Sequence, residues 1–358
     1  MSGSYSRRGF VFSCASALGL FLLPPLPRSA RAEEELISPQ VQSAVDRGLE
    51  WLAKTQNGSG GWNGGPRGGS SSSAVTGLAV MAFMARGHVP GQGPYGDLLN
   101  RGIDALMSNQ SSDGVLASAS LGQPMYDHGI ATVALCESYG MLDERRQAQA
   151  RNAISKAVRL ILNAQRAGDK DLTASKGGWR YTPQARDSDT SVTGWQLMAL
   201  RGAKNVGAYL PQGAIDDGIE YIKRQSIENG IGGFGYVGGS RGDMALTGTG
   251  ILALTLMGHG DSAMVKAAGD YMLRCDIQRE QHFFYAVYYC SQAAYHLGGN
   301  YWETINRTIT SILLSKQEGA GGWRPVSGSD SSGGDSYCTA MAVLSLTVPY
   351  RYLPIYQK

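Results

Sequence analysis

The chain has 358 residues, of which 42% are hydrophobic and 17% charged, so it can bury a substantial core as one large domain or two ordinary ones. Its formal net charge of +3 falls to 3 − 4 = −1 when the four arginines of residues 1–32 are left out. A near-neutral chain gives no electrostatic reason to expect a nucleic-acid partner.

Residues 1–32 have the pattern of an export signal. Arg7 and Arg8 precede an apolar run that ends at Leu23, and small residues at Ala30 and Ala32 occupy the positions that a signal peptidase reads. The paired arginines resemble a twin-arginine signal, and a general secretory signal is the alternative. We therefore expect export to the periplasm or cell envelope. No later stretch is long and apolar enough to span a bilayer.

Four cysteines follow the signal: Cys136, Cys275, Cys290 and Cys338. They are far apart and form no CxxC pair, so disulfides in an exported chain and buried, unpaired thiols both stay open.

The chain repeats a pair of unlike helices six times, at intervals of roughly 40–60 residues. The first member of each pair has an apolar stripe, which predicts an amphipathic helix on a core. The stripes are Val45/Leu49/Leu52, Leu99/Ile103/Leu106, Ile154/Val158/Ile161, Ile215/Ile219/Ile222, Val265/Met272 and Ile305/Ile309/Ile312.

Five of these helices end in a glutamine, and in four a glycine-rich turn carries an aromatic residue, as in "GSGGWNGG" and "SKGGWRYTP". The second member of each pair, for example "SSSAVTGLAVMAFMARG", is apolar or small on every side, which is typical of a buried helix. Since the end units are as apolar as the middle ones, we expect the pairs to close into a ring. The predicted fold is all-α, an α6/α6 toroid formed by one domain over residues 33–358.

The glutamine followed by Gly-Trp or Gly-Phe resembles the QW repeat of squalene and oxidosqualene cyclases, whose toroid is shared with protein prenyltransferase β-subunits. The resemblance covers about residues 38–354. It implies that the glutamines and turn aromatics stiffen the barrel rather than act in catalysis.

The stretch "DSDTSVTGWQL" is similar to the Asp-x-Asp-Asp-Thr-Ala motif of squalene–hopene-type cyclases, in which an aspartate protonates an alkene. In either register one carboxyl is missing, because Ser188 or Thr190 takes its place. Asp187 and Asp189 are therefore candidate catalytic acids. The alternative is that one of them caps the helix that begins at Thr190, and the two roles can coexist. Whether the protein is an enzyme stays open.

Zinc in prenyltransferases is held by Asp, Cys and His side chains. Asp335, Cys338 and His282 are the nearest candidates here, but the family's own pattern is absent, so we expect no metal or other cofactor.

All inner helices of a toroid begin at one end, which predicts that their first residues line a common mouth. Side chains suited to a binding site cluster at these starts. The predicted substrate-binding residues are Tyr126, Asp127, His128, Thr190, Trp195, His282, Tyr285 and Tyr337.

Three functions remain open on the sequence. The first is a terpenoid-cyclase-like protein that binds or processes an isoprenoid or other apolar ligand at this mouth. The second is a non-catalytic envelope binding protein. The third is a carbohydrate-active enzyme, because some of these also use α/α toroids and need only two carboxylates beside a groove.

Overall fold

A computed structural model of the protein describes residues 37–65, 69–118, 122–168, 170–328 and 330–357. The predicted export signal, residues 1–32, lies outside them. Residues 37–358 form one compact unit.

The described residues form twelve α-helices that alternate between an outer and an inner layer. The outer helices are α1 (Pro39–Thr55), α3 (Gly96–Ser108), α5 (Glu144–Gln165), α7 (Gln212–Arg224), α9 (Ala263–Arg274) and α11 (Gly299–Lys316). The inner helices are α2 (Ser73–Ala85), α4 (Pro124–Ser138), α6 (Thr190–Asn205), α8 (Met244–Leu254), α10 (Phe283–Leu297) and α12 (Gly334–Leu346).

Short elements complete the connections. Two antiparallel pairs of strands, β1 (Trp62–Asn63) with β2 (Ser71–Ser72) and β3 (Phe234–Gly235) with β4 (Gly242–Asp243), precede α2 and α8. A π-helical turn spans Thr255–His259. The 3₁₀ turns are Tyr139–Met141, Lys170–Leu172, Glu228–Gly230, Ile277–Arg279, Asp330–Ser332, Val348–Tyr350 and Pro354–Tyr356.

The helices close into a ring. Each inner helix packs against the next one in the chain, and the last, α12, packs against the first, α2. The inner helices are buried on nearly every side, whereas the outer helices bury only one stripe. This confirms the predicted α6/α6 toroid.

Glutamines at the ends of outer helices link neighbouring units through the backbone. Gln317 Nε2 donates to Gly321 O at 2.7 Å in its own turn and to Ala44 O at 2.8 Å in α1, and so joins the last unit to the first. Three other glutamines make the same pair of bonds, one within their own turn and one to the next outer helix: Gln56, Gln110 and Gln165.

The turn tryptophans are locked in the same way in every unit that has one. Trp62 is fully buried; its Nε1 donates to Leu52 O at 2.8 Å, and its backbone N–H donates to Thr76 Oγ1 at 3.0 Å in the inner helix. Trp179 and Trp323 repeat both bonds, and Phe234 repeats the second. Each turn therefore fastens an outer helix to the start of an inner one.

The end of the barrel opposite the inner-helix starts is covered by the last described residues. Ile355 donates its backbone N–H to Glu137 Oε2 at 3.0 Å, and the hydroxyls of Tyr356 and Tyr288 are hydrogen-bonded. Leu353, Ile355 and Tyr356 are buried. Among the described helices, none is both long enough and apolar enough to cross a membrane.

Candidate functional site at the mouth of the toroid

The starts of the inner helices are held together by carboxylates that reach across from the neighbouring unit. Asp127, at the start of α4, accepts from Ala74 N at 2.6 Å and from Ser72 Oγ at 3.1 Å, both at the start of α2. Glu280 and Asp330 likewise accept from the first backbone N–H groups of α8 and α10. These bonds satisfy amides that an isolated helix leaves unpaired, and they bring the helix starts to one rim.

Arg180 is the centre of the charged part of this rim. Its Nε lies 3.2 Å from Asp187 Oδ2 and its Nη1 lies 3.3 Å from Asp189 Oδ2. The guanidinium also lies over the rings of Tyr181, at 4.4 Å, and Tyr236, at 5.2 Å, and the hydroxyls of these two tyrosines are hydrogen-bonded to each other. One cation thus joins both aspartates to a pair of aromatic rings.

The two aspartates differ in exposure. The Asp187 side chain is 64% exposed, whereas Asp189 has no exposed surface. Asp189 is the N-cap of α6, and its Oδ1 accepts from Val192 N at 2.8 Å. Burial raises the pKa of Asp189 to about 6, against the opposite effects of the Val192 amide and Arg180. The capping role considered for Asp189 is therefore the one that the structure describes, and Asp187 is the carboxylate in contact with solvent.

A row of hydroxyl groups crosses the mouth below this charged cluster. Ser191 Oγ lies 2.7 Å from both Tyr126 Oη and Tyr285 Oη, and Tyr285 Oη lies 3.1 Å from Thr249 Oγ1. Burial raises the pKa of Tyr126 and of Tyr285. Both side chains nonetheless keep some accessible surface, as does Tyr337 at the start of α12. From their enclosure by protein and their remaining accessible surface, we infer that these three tyrosines line a pit at the mouth.

The floor of this pit is a packed aromatic cluster. The Trp195 ring stacks on Tyr288 with 5.7 Å between centroids and meets Tyr289 edge-on at 5.6 Å. All three are at most 1% exposed. The predicted binding residue Trp195 therefore lies beneath the mouth, in the core. Thr190 is also buried, and its Oγ1 donates to Gly235 O at 2.6 Å.

His128 faces the outer layer and not the pit. Its Nδ1 accepts from Leu116 N at 3.0 Å, and its Nε2 lies 3.2 Å from Ala157 O, so the ring is neutral with the proton on Nε2. Burial lowers its pKa to about 4. The position matches Thr76 of the first unit, whose hydroxyl accepts from Trp62 N. His128 thus replaces the threonine in the one unit that has Leu116 in place of the turn aromatic.

The three weak metal candidates are not assembled into a site. His282 and Asp335 are exposed at the starts of α10 and α12, and Cys338 is fully buried. Within the described ranges, no three His, Cys, Asp or Glu side chains are placed to share a metal ion. All four cysteines after residue 36 have free thiols.

Sequence reasoning missed Arg180, Tyr181 and Tyr236, which shape the rim, and Lys170 beneath it. Lys170 is 1% exposed, its Nζ donates to Ala164 O at 3.2 Å, and burial lowers its pKa to about 8. The signal for the first two was their place in "GGWRYTP", directly after a turn tryptophan.

No protein-family model matches the chain, and no curated protein sequence matches it. Solved structures do. The α-1,6-mannanase GH76A from Salegentibacter sp. HEL1_6 superposes with a TM-score of 0.64 at 9% identity over 87% of this chain and 99% of that chain. The type II terpene cyclase MstE from Scytonema superposes with a TM-score of 0.55 at 16% identity over 88% and 99%. At such identities the similarity establishes the fold only, and it includes both a glycosidase and a terpene cyclase.

Proposed function

We propose that the mouth of the toroid binds a saccharide. The observation that carries this proposal is the row of hydroxyls through Tyr126, Ser191 and Tyr285, set at the bottom of a partly exposed pit. A sugar offers many hydroxyl groups and an apolar C–H face to each ring. A site for it needs neutral donors and acceptors together with aromatic side chains.

The rim above the hydroxyl row supplies the remaining elements. Tyr181 and Tyr236 are half-buried, so part of each ring is open to a ligand. Asp187, which is well exposed and already oriented by Arg180, can accept hydrogen bonds from sugar hydroxyls. The pit is therefore polar above and aromatic below, which suits a hydroxylated ligand better than a hydrocarbon.

The two aspartates have different parts in this proposal. Asp187 is the residue that contacts the ligand. Asp189 is a positioning residue, since its carboxylate holds Arg180 and the first turn of α6 while having no exposed surface. A hydrolytic reaction would require a second carboxylate on the ligand, and Asp189 reaches it only if Arg180 moves. We therefore propose that the mouth binds a saccharide, and measurement of reducing ends tests whether it also hydrolyses one.

The comparison with the mannanase supports the choice of ligand. A variant of that enzyme in which two consecutive aspartates are replaced is described as inactive and was solved with α-1,6-mannotriose. The present chain carries two aspartates separated by one residue, Asp187 and Asp189, at the start of an inner helix of the same fold. Export, which residues 1–32 predict, fits a ligand among envelope or extracellular glycans.

An apolar, isoprenoid-like ligand is the second candidate, and the cluster of Trp195, Tyr288 and Tyr289 favours it. Aromatic faces stabilise cations and pack against hydrocarbon chains, and MstE was solved with geranylgeranyl dihydroxybenzoate. A polyprene must first displace these rings, because they are at most 1% exposed. An acid that protonates an alkene also has to lose its ion pair, and Asp189 is paired with Arg180.

The test is a binding screen on residues 33–358 against a glycan array, α-1,6-mannotriose and a polyprenyl diphosphate, with parallel measurement of reducing ends. We expect a saccharide to bind, and Asp187→Asn to weaken it at least about tenfold, or about 1.4 kcal/mol. The matched control is Asp46→Asn, which breaks the similar Asp46–Arg86 pair at the other end of the barrel. Binding of the polyprenyl compound alone, or equal affinity in Asp187→Asn and wild type, contradicts the proposal.

A further inference from the structure

A cleft of about 530 Å³ lies outside the ring, next to the mouth. One wall is the outer face of α5 and the other is the loop that leads to Asp187. Three cationic side chains line it: Lys156 and Arg159 from α5, and Arg186 from the loop. Among its described lining residues, three side chains are cationic and one, Asp113, is acidic.

Arg186 connects this cleft to the mouth. Its side chain lies over Gly168, so closely that a Cβ at Gly168 would be 2.9 Å from Arg186 Cγ and 3.1 Å from Nε. The backbone φ of +62° at Gly168 allows that approach. The next residue, Asp187, turns the other way and pairs with Arg180 on the rim. Two consecutive side chains thus face two adjoining surfaces.

No described carboxylate forms an ion pair with any of the three cations, Lys156, Arg159 and Arg186. Arg146, on the same helix, differs: its guanidinium is bound by Asp104 and Asp143. Unpaired cations that converge on one concave surface raise the local concentration of anions.

We propose that this cleft binds the carboxylate or sulfate group of an acidic saccharide whose neighbouring sugar occupies the mouth, an inference that rests on the proposed function. The cations provide charge-assisted hydrogen bonds to the acidic group. Asn163 and Gln184 offer amide groups to sugar hydroxyls, and Leu160 and Pro183 give the ring an apolar surface. The volume lies within the range usual for ligand sites.

The experiment compares three tetrasaccharides of equal length by calorimetric titration: a uronic-acid oligomer, a sulfated oligomer and the neutral α-1,6-linked mannose oligomer. The proteins are wild type, the double variant Arg159→Gln/Arg186→Gln, Arg145→Gln and Asp187→Asn. Arg145→Gln makes the same change once on the same helix, outside the cleft. We expect at least one acidic oligomer to bind about tenfold or more tighter than the neutral one, with an advantage that shrinks as salt increases.

The double variant should abolish that advantage, and Arg145→Gln should keep it. Equal affinity for acidic and neutral oligomers in wild type, or the same loss in Arg145→Gln, overturns the inference while leaving the mouth proposal intact. Acidic binding that depends on Arg159 and Arg186 and is unchanged in Asp187→Asn supports the acidic-group site in the cleft and contradicts both the mouth proposal and the placement of the neighbouring sugar there. The comparison of carboxylate with sulfate identifies which acidic group the cleft prefers.

Discussion

Arg180 Nη1 lies 3.3 Å from Oδ2 of Asp189, a carboxylate with no exposed surface that also caps the sixth helix. Arg180 also pairs with Asp187 of the same motif, but the Asp187 side chain is 64% exposed. Substitution of the two aspartates should therefore change the free energy of unfolding by very different amounts.

Replacing Asp189 with Ala should destabilise the protein by about 2–4 kcal/mol, because the helix loses its cap and Arg180 loses a buried partner. Asp189→Asn should cost less, since an amide oxygen still accepts from Val192 N. Asp187→Asn should change stability by no more than about 0.5 kcal/mol, because the Asp187 carboxylate is largely exposed. Urea denaturation measures all three, and a larger loss in Asp187→Asn than in Asp189→Ala contradicts this assignment.

Gln317→Ala should weaken the closure of the ring. The change removes the bonds from Gln317 Nε2 to Ala44 O and Gly321 O and the bond that Gln317 Oε1 accepts from Arg47, at a cost of about 1–3 kcal/mol. Gln225→Ala is the matched control, since Gln225 Nε2 donates within its own helix to Tyr221 O at 3.3 Å. We expect Gln225→Ala to cost less in the same denaturation experiment. The reverse order would show that the inter-unit bond contributes little.

His128 should make the fold sensitive to acid. Its pKa falls from 6.5 to about 4 on folding, so the unfolded chain binds a proton that the folded chain does not. Stability attributable to this group is complete above pH 6.5 and declines as the pH falls toward about 4. His128→Thr restores the residue found at Thr76 and should remove this part of the pH dependence. If wild type and His128→Thr lose stability in parallel over that range, the histidine is not the cause.

Glu137 should act in the opposite direction. Burial raises its pKa from 4.5 to about 7 in the folded state, which therefore holds a proton that the unfolded chain releases. Its contribution is complete below pH 4.5 and is lost as the pH rises through about 7. Glu137→Gln keeps an acceptor for Ile355 N and should stabilise the protein by about 1–3 kcal/mol at pH 8. Equal stability of the two proteins at pH 8 would contradict the buried-acid account.

The architecture could be predicted from the sequence because apolar periodicity and the glycine–aromatic turns act within about 20 residues of each other. The contacts that shape the mouth join distant residues. Arg180 of the third unit lies over the ring of Tyr236 in the fourth, and Asp127 caps a helix that starts about 50 residues earlier. No local pattern encodes such pairs. His128 illustrates the difference, since a histidine beside an aspartate and a tyrosine at a helix start is typical of a site, whereas the fold turns its ring outward to replace a threonine.

Trp195 is a second residue whose position is decided by tertiary packing and not by the local sequence pattern. Its position in a motif-like stretch predicted a ligand contact, and packing against Tyr288 and Tyr289 places it in the buried aromatic cluster beneath the mouth. The sequence identified the helix that carries the candidate site, and side-chain packing decided which of its residues reach the surface.

The most direct measurement of the central claim is a crystal structure of residues 33–358 with an oligosaccharide selected by the binding screen. We predict a sugar ring within hydrogen-bonding distance of Asp187 and of the hydroxyls of Tyr126, Ser191 or Tyr285. A saccharide bound only on the outer layer, or a hydrocarbon ligand seated among displaced Trp195, Tyr288 and Tyr289 rings, would contradict it.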